Sequence, residues 1–240
     1  MKVAVEFDRV SFGYDKNNNI LNEVSLKIYE SEFITVVGPN GTGKTTFVKL
    51  ILGILKPNSG NIKVYGLEPM RFSGFFGYIP QVGNFDVQFP ISVEEVVIGG
   101  LVRPLGIVSN PDRKRVEEIL KRFGLYNLRK QHFFSLSGGQ QQKTLLARAL
   151  VSSPPILILD EPSSNIDVKG EGVIFEILSE LKGSRTIIVI THDTGFVNNL
   201  TDRTFCVNNG SIVEHNSRPD EALALLFGHS KTDKKVIHGE

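Results

Sequence analysis

The chain has little cysteine and no excess of charge of either sign. Its 240 residues include one cysteine, Cys206, which excludes an internal disulfide framework and fits a reducing compartment. Its 27 Lys and Arg residues nearly balance 26 Asp and Glu residues. A general nucleic-acid binder usually carries a basic stripe, so no nucleic-acid partner is expected.

Long hydrophobic runs are also missing. No apolar run approaches the ~18–20 residues that span a bilayer. The longest runs, such as Ile156–Leu159 and Ile187–Ile190, have the length of strands. The first nine residues contain two acids and an arginine, which is not the apolar centre of a signal peptide. We therefore expect a soluble, cytoplasmic protein whose membrane role, if it has one, comes through a partner.

Short apolar strands flank a stretch of helical character. The predicted strands are 3–12, 26–29, 33–37, 60–66, 75–79, 156–159 and 185–190. Residues 91–150 predict helices without a convincing strand; one is capped and started by Asn110-Pro111, and a second covers 138–152. A further helix is predicted at 167–183. Short apolar strands that alternate with helices indicate a parallel sheet covered on both faces.

A glycine-rich loop follows the strand at 33–37 and precedes an apolar helix. Its glycines allow backbone N–H groups to turn inward, and the helix adds its positive end. Lys44 would place a positive charge on terminal phosphates, and the Thr45 hydroxyl suits Mg²⁺. The alternative is a glycine-rich turn with a chance Lys-Thr. The predicted nucleotide-binding residues here are Gly38, Asn40, Gly41, Thr42, Gly43, Lys44, Thr45 and Thr46.

Two acids end the apolar strand at 156–159. Asp160 would lie beside the phosphate loop if the two strands are neighbours, and it would then hold Mg²⁺. Glu161 could reach the water that attacks a γ-phosphate. The alternative is that the two acids are an ordinary solvated strand end. The phosphate loop upstream favours the functional interpretation over this one.

A third motif, Leu136-Ser137-Gly138-Gly139-Gln140, opens a predicted helix. A serine N-cap followed by two glycines exposes backbone donors to an anion. From the residues alone, a simple capped helix remains an equal interpretation.

Together these motifs resemble the ATP-binding-cassette (ABC) ATPases, and the resemblance extends from end to end. It implies an α/β fold: a P-loop NTPase core with a parallel sheet, an N-terminal antiparallel β subdomain and an inserted α-helical subdomain. It also implies one domain over residues 1–240. The core would be 1–85 and 153–215, the helical subdomain 86–152, and the C-terminal helix and tail 216–240.

The resemblance assigns roles within an Mg-dependent ATPase that uses ATP and Mg²⁺. It implies that Glu161 is the general base, that His192 contacts the γ-phosphate, and that Lys44 is essential. Gln81 would sense Mg²⁺ and link the core to the helical insertion. Tyr14 would stack on adenine, although an aromatic residue there is equally expected in a core.

The resemblance further implies a head-to-tail dimer. Ser137, Gly139 and Gln140 of one copy would complete the ATP site of another, so that ATP joins the copies and hydrolysis releases them. The segment Ser164-Asn165-Ile166-Asp167 keeps the family's aspartate but departs at Asn165 and Ile166.

The segment after Gln81 resembles the ATPase subunits of zinc and manganese importers. It carries Asp86 and then Phe89-Pro90-Ile91-Ser92-Val93. The resemblance implies a membrane permease that contacts this segment, an extracytoplasmic solute-binding protein, and a place on the cytoplasmic face of the membrane. Phe85, Phe89 and Ile91 would face the permease or pack between the lobes. Alternatives are transport of another solute such as an iron chelate, a soluble ABC ATPase, and a binding module with an inactive ATP site.

Overall fold

The computed structural model describes residues 2–15, 18–69, 76–81, 89–101, 108–162, 168–192, 194–195, 197–216 and 218–228. The strands are β1 (Val3–Phe12), β2 (Leu21–Tyr29), β3 (Phe33–Val37), β4 (Ser59–Val64), β5 (Phe76–Ile79), β6 (Ile156–Asp160), β7 (Thr186–Ile190), β8 (Arg203–Asn208) and β9 (Ser211–His215). The α-helices are α1 (Lys44–Ile51), α2 (Val93–Ile98), α3 (Asn110–Arg122), α4 (Gly138–Leu150), α5 (Val168–Leu181) and α6 (Pro219–Gly228). Within these ranges, every helix is too short or too polar to cross a bilayer.

A six-stranded sheet forms the centre of the fold. Its strand order is β5-β6-β7-β3-β8-β9, and all neighbours are parallel except β8 and β9. Every residue of β3, β6 and β7 is buried, as expected when both faces of a sheet are covered. The predicted parallel sheet is confirmed.

A three-stranded antiparallel sheet, in the order β2-β1-β4, covers one side of the central sheet. The antiparallel sheet, helix α1 and one face of the central sheet share one apolar cluster. In it, Phe47 of α1 packs against Phe7 of β1 with ring centroids 5.1 Å apart. Helices α2 to α5 pack in the second large cluster with the apolar side chains of the opposite face, such as Leu157 and Val189. The chain thus forms layers on both faces of the parallel sheet.

The helix that begins at Asn110 has a different cap from the predicted one. Ser109 is the N-cap, and its hydroxyl accepts the Asp112 N–H at 3.4 Å while the Asp112 carboxylate accepts the Ser109 N–H at 3.0 Å. This reciprocal capping box moves the cap one residue towards the N-terminus, and Pro111 becomes the second helical residue. Ser137 caps α4 in the same way with Gln140, as predicted.

In the described parts of 86–152, regular structure is helical, and the only strand-like pairing is an isolated bridge between Ser92 and His132. The division of the chain into a core, a helical subdomain and a C-terminal segment stays a prediction. The segment 163–167, which holds the predicted Ser164–Asp167 motif, lies outside the described residues, as do Phe85 and Asp86.

Candidate nucleotide site

The glycine-rich loop joins β3 directly to the first turn of α1. Gly43 adopts φ +107°, and a Cβ there would lie 2.6 Å from Ile20 Cγ2, so a side chain is excluded on both counts. The Lys44 ammonium donates to the carbonyls of Gly38 at 2.9 Å and Pro39 at 3.0 Å. The loop therefore folds around its own lysine. Phosphate oxygens can replace the two carbonyl oxygens as acceptors of the lysine's hydrogen bonds.

A pocket of about 450 Å³ opens at this loop. It gathers residues from the connection between β1 and β2, the glycine-rich loop, α1, the segment after β5 and the end of β6. The residues that line it are Tyr14, Ile20, Asn40, Gly41, Gly43, Lys44, Thr45, Thr46, Gln81, Asp160 and Glu161. All of these except Ile20 are predicted site residues; an isoleucine before a strand carries no sequence signal for such a role.

Asp160 ends β6 and is almost completely buried, with 1% of its surface exposed. Its Oδ2 accepts a hydrogen bond from Thr45 Oγ1 at 3.3 Å. Strands β6 and β3 are not neighbours, because β7 lies between them, so the condition stated for Asp160 is not met. Asp160 nevertheless reaches the loop, since parallel strands end at one edge of the sheet and Thr45 lies in the first turn of α1.

The oxygens beside Thr45 fit a magnesium ion. Asp160 Oδ1 is buried and has no hydrogen-bond partner in the described structure. A carboxylate, a hydroxyl and the amide oxygen of Gln81 are the kinds of ligand that Mg²⁺ accepts along with phosphate oxygens. The unpartnered Oδ1 is thus an acceptor that a bound cation would satisfy.

Burial dominates the electrostatics of the pocket. It lowers the pKa of Lys44, although the charges of Glu161 and Asp160 oppose this effect. It raises the pKa of Asp160 despite the Thr45 hydrogen bond, and burial with the nearby Asp160 charge raises the pKa of Tyr78 to about 12. A bound polyphosphate would therefore add counter-charge beside an ammonium that burial has partly desolvated.

Glu161 and His192 meet at the edge of the pocket. His192 Nδ1 lies 2.6 Å from Glu161 Oε2, and the His192 backbone N–H donates to the same oxygen at 3.4 Å. Glu161 has φ +51°, a left-handed conformation that is uncommon for glutamate, and its N–H donates to Ile190 O at 2.9 Å. The backbone thus holds the carboxylate towards His192, which follows β7.

The serine-glycine motif lies elsewhere. Ser137 is exposed at the start of α4, and Gly139 and Gln140 are half-buried. None of the three lines the pocket, and Gly38, Thr42 and His192 also lie outside its lining. The structure therefore brings together the loop, Gln81 and the two acids, while the start of α4 is not part of this pocket.

An apolar groove on the helical side contains part of the predicted permease-facing segment. Phe89 is 59% exposed, and its carbonyl lies 2.9 Å from His132 Nε2. The groove has a volume of about 370 Å³, and Glu95 and Arg148 are the charged residues in its lining. Its apolar lining is Phe89, Ile91, Val96, Phe133, Phe134 and Leu145. The last three could not be assigned from sequence, because they resemble core positions.

Comparison with known proteins places these features in one family. The model of the ABC transporter family matches residues 21–164, which include the loop, the serine-glycine motif and the two acids. The zinc uptake system ATP-binding protein ZurA of Listeria monocytogenes is 36% identical over 89% of this chain and 86% of its own length.

Two further similarities extend the comparison. The manganese transport system ATP-binding protein MntB of Bacillus subtilis is 38% identical over 79% of this chain and 77% of its own. Among solved structures, an inward-facing ABC transporter assigned to the metal-chelate type has 28% identity and a TM-score of 0.79, covering 95% of this chain and 90% of its own. The chain therefore belongs to the ABC transporter family and has the fold of its ATP-binding subunits.

Proposed function

We propose that this protein is the ATP-hydrolysing, energy-coupling subunit of an importer for zinc or manganese. One observation carries the ATPase: a single pocket holds a phosphate loop, its lysine and two buried acids at the end of β6. The zinc and manganese cargo is supported by the names of the relatives that match most of the chain.

ATP binding would exchange the contacts of Lys44. Its ammonium leaves the Gly38 and Pro39 carbonyls for the terminal phosphates, and backbone N–H groups of the loop and α1 bind the remaining oxygens. Tyr14 is 60% exposed on the rim and is held edge-on by Phe12, with ring centroids 5.2 Å apart. Its ring is available to stack on adenine.

Thr45, Asp160 and Gln81 would hold Mg²⁺. Bound there, the ion neutralises charge that develops on the phosphate oxygens. Thr45 and Asp160 already contact each other, and the unpartnered Asp160 Oδ1 gives the ion an anionic acceptor without moving the strand.

Glu161 would act as the general base for the attacking water. Its carboxylate takes a proton as the water oxygen bonds to the γ-phosphorus and the bond to ADP breaks. An ionised Glu161 would accept a hydrogen bond from Nδ1–H of His192, and a contact of His192 with the γ-phosphate would require a proton on Nε2 as well. His192 would thereby orient the base and contact the γ-phosphate.

A second copy of the chain would complete the site. Ser137, Gly139 and Gln140 lie at the start of α4, outside the lining of their own pocket. In a head-to-tail dimer their hydrogen-bond donors bind the γ-phosphate held by the other copy. The groove beside Phe89 would receive an apolar segment of the permease, which places the dimer at the cytoplasmic face of the membrane and links it indirectly to an extracytoplasmic solute-binding protein.

Uptake of zinc, manganese and iron isotopes in the native host tests the function. Lys44→Ala should abolish uptake of zinc or manganese, because the only ammonium lining the described pocket is lost. Lys49→Ala, on the same helix but outside that lining, is the matched control and should transport normally. Unchanged uptake of all three metals in Lys44→Ala would refute the metal importer, and retained ATP turnover would refute the site.

An iron chelate is the second candidate cargo. The supporting observation is the 28% identity to the transporter of metal-chelate type. In the same assay, selective loss of iron-chelate uptake with normal zinc and manganese uptake would favour this alternative.

A further inference from the structure

A second polar pocket lies at the opposite edge of the central sheet from the ATP site. It contains Ser152 and Ser153, which precede β6, and Arg185, which directly precedes β7. Helix α3 contributes Arg115 and Arg122 from the other side. The volume is about 420 Å³, and the apolar ends of α4 and α5 form part of the wall. The pocket therefore joins the helical region to the sheet.

Arg185 is a partly buried cation without a carboxylate partner in the described structure. Its Nη1 donates to Pro154 O at 3.0 Å, while its Nε is buried and has no acceptor. Burial lowers the pKa of Arg185, and the like charge of Arg122 lowers it further. A partly desolvated guanidinium without a counter-charge favours an incoming anion.

Arg203, at the start of β8, is another partly buried arginine of the same sheet and can be compared with Arg185. Its guanidinium contacts Glu32 at 2.8 Å and Glu214 at 2.7 Å and also donates to Lys27 O. Arg203 is thus neutralised twice within the chain, whereas Arg185 is not neutralised by any described residue. The difference leaves Arg185 available to a counter-charge that the described residues do not supply.

The two arginines on the α3 side of the pocket are available to contact a ligand. Arg115 and Arg122 are seven residues apart, about two helical turns, so both lie on one face of α3. Arg122 pairs with Glu180 at 2.9 Å, but these side chains are 52% and 63% exposed, and such pairs contribute little. Glu118 is the only acid among the described lining residues.

We propose that this pocket binds a small, phosphate-bearing solute. Guanidinium groups match phosphate oxygens with paired N–H donors, and two serine hydroxyls lie in the same lining. The volume falls in the range of small-molecule sites and exceeds what a bare phosphate needs. Such a ligand would connect α3 to the start of β7, the strand that leads to His192, and so restrain the helical region against the sheet.

Inorganic phosphate is the test probe, titrated by calorimetry into the full chain saturated with a non-hydrolysable ATP analogue. The analogue occupies the phosphate loop, so binding there is excluded. Wild type and the control Arg113→Gln, an exposed α3 residue outside the pocket, should bind phosphate saturably. Arg115→Gln with Arg122→Gln should weaken binding by about tenfold or more, as should Arg185→Gln.

Three outcomes would overturn the proposal. The first is that wild type does not bind phosphate saturably. The second is that the double variant and Arg113→Gln bind phosphate with equal affinity. The third is that the pocket binds citrate in place of phosphate. The double variant changes only exposed side chains, so it decides the question even if Arg185→Gln does not fold. Because the ATP site is occupied throughout, the result is independent of the proposed transport function.

Discussion

Individual residues in this fold differ sharply in how they tolerate burial. Asp160 and Lys44 are buried beside each other's opposite charge and beside a pocket that a charged ligand can enter. Cys206, in β8, is buried without any such compensation, and burial raises the pKa of its thiol to about 11. Asp160 and Lys44 can therefore exchange their present contacts for those of a charged ligand, whereas the Cys206 thiol is kept neutral by burial.

The Cys206 shift predicts a loss of stability in alkali. The folded thiol keeps its proton, while in the unfolded chain it ionises near its ordinary value of 9.0. The contribution to the free energy of unfolding is therefore complete below about pH 9 and is lost as the pH rises towards 11, by ~1.4 kcal/mol per pKa unit. Guanidinium denaturation of wild type and Cys206→Ala at about pH 8 and pH 11 measures it; equal pH dependence of the two proteins would contradict the prediction.

At the scale of elements, close packing of backbones fixes how the helices meet. A Cβ on Gly100, just after α2, would collide with the Arg148 carbonyl of α4 and approach Val151 Cγ1 to 2.9 Å. Glycine is needed there for space, since its φ is not in the left-handed region. By contrast, a Cβ on Gly172 in α5 would meet no atom within 4 Å.

These two glycines give a matched pair of substitutions. Gly100→Ala should lower the free energy of unfolding by about 1–3 kcal/mol, because α2 and α4 must separate. Gly172→Ala should raise it by about 0.5–1 kcal/mol through helix propensity. Chemical denaturation of both variants checks the contrast, and a neutral Gly100→Ala would show that the α2–α4 contact is not tight.

Elements also differ in how well sequence predicts them. The strands β3, β6 and β7 are predictable because uninterrupted apolar runs can be buried on both faces. Strands β8 and β9 were not predicted, although Asn209-Gly210 between them is a strong hairpin signal; Asn209 and Gly210 have φ values of +46° and +80°. The predicted Asn110 cap failed because Ser109 and Asp112 form a complete capping box, a pair that needs both positions to be weighed together.

For the site, sequence predicts the residues better than their arrangement. Contiguous motifs bring Lys44 and Thr45, or Asp160 and Glu161, together whatever the topology. Whether β3 and β6 are neighbours could not be decided from sequence, because strand order depends on crossovers that local patterns do not encode; the structure has β7 between them. Ile20 in the pocket and Arg185 in the second pocket depend on long-range packing and have no motif.

At the scale of the whole molecule, the chain carries two half-sites that do not meet. The phosphate loop and acids line one pocket, and the capped start of α4 lies outside it. This separation is the structural basis for expecting a dimer with ATP at its interface.

Glu161→Gln tests that expectation by removing the proposed base while keeping its size. With Mg-ATP, this variant should elute from a sizing column at twice the monomer mass, because ATP binds but is not hydrolysed. Adding Ser137→Arg should restore the monomer, since the bulky cation blocks the proposed contact at the start of α4. A Glu161→Gln protein that stays monomeric with Mg-ATP would contradict the dimer mechanism.

The position of β3 has a consequence for synthesis of the chain. This apolar strand pairs on its two sides with β7 and β8, where Phe33 lies opposite Ile187 and Ile34 opposite Arg203. Roughly 150 residues must be added between the strand and its first partner. At about 5–20 residues per second, translation takes about 8–30 s to cover that distance. The nascent chain therefore carries an unpaired apolar strand for that interval, and β3 gains both partners only after β8 has been made.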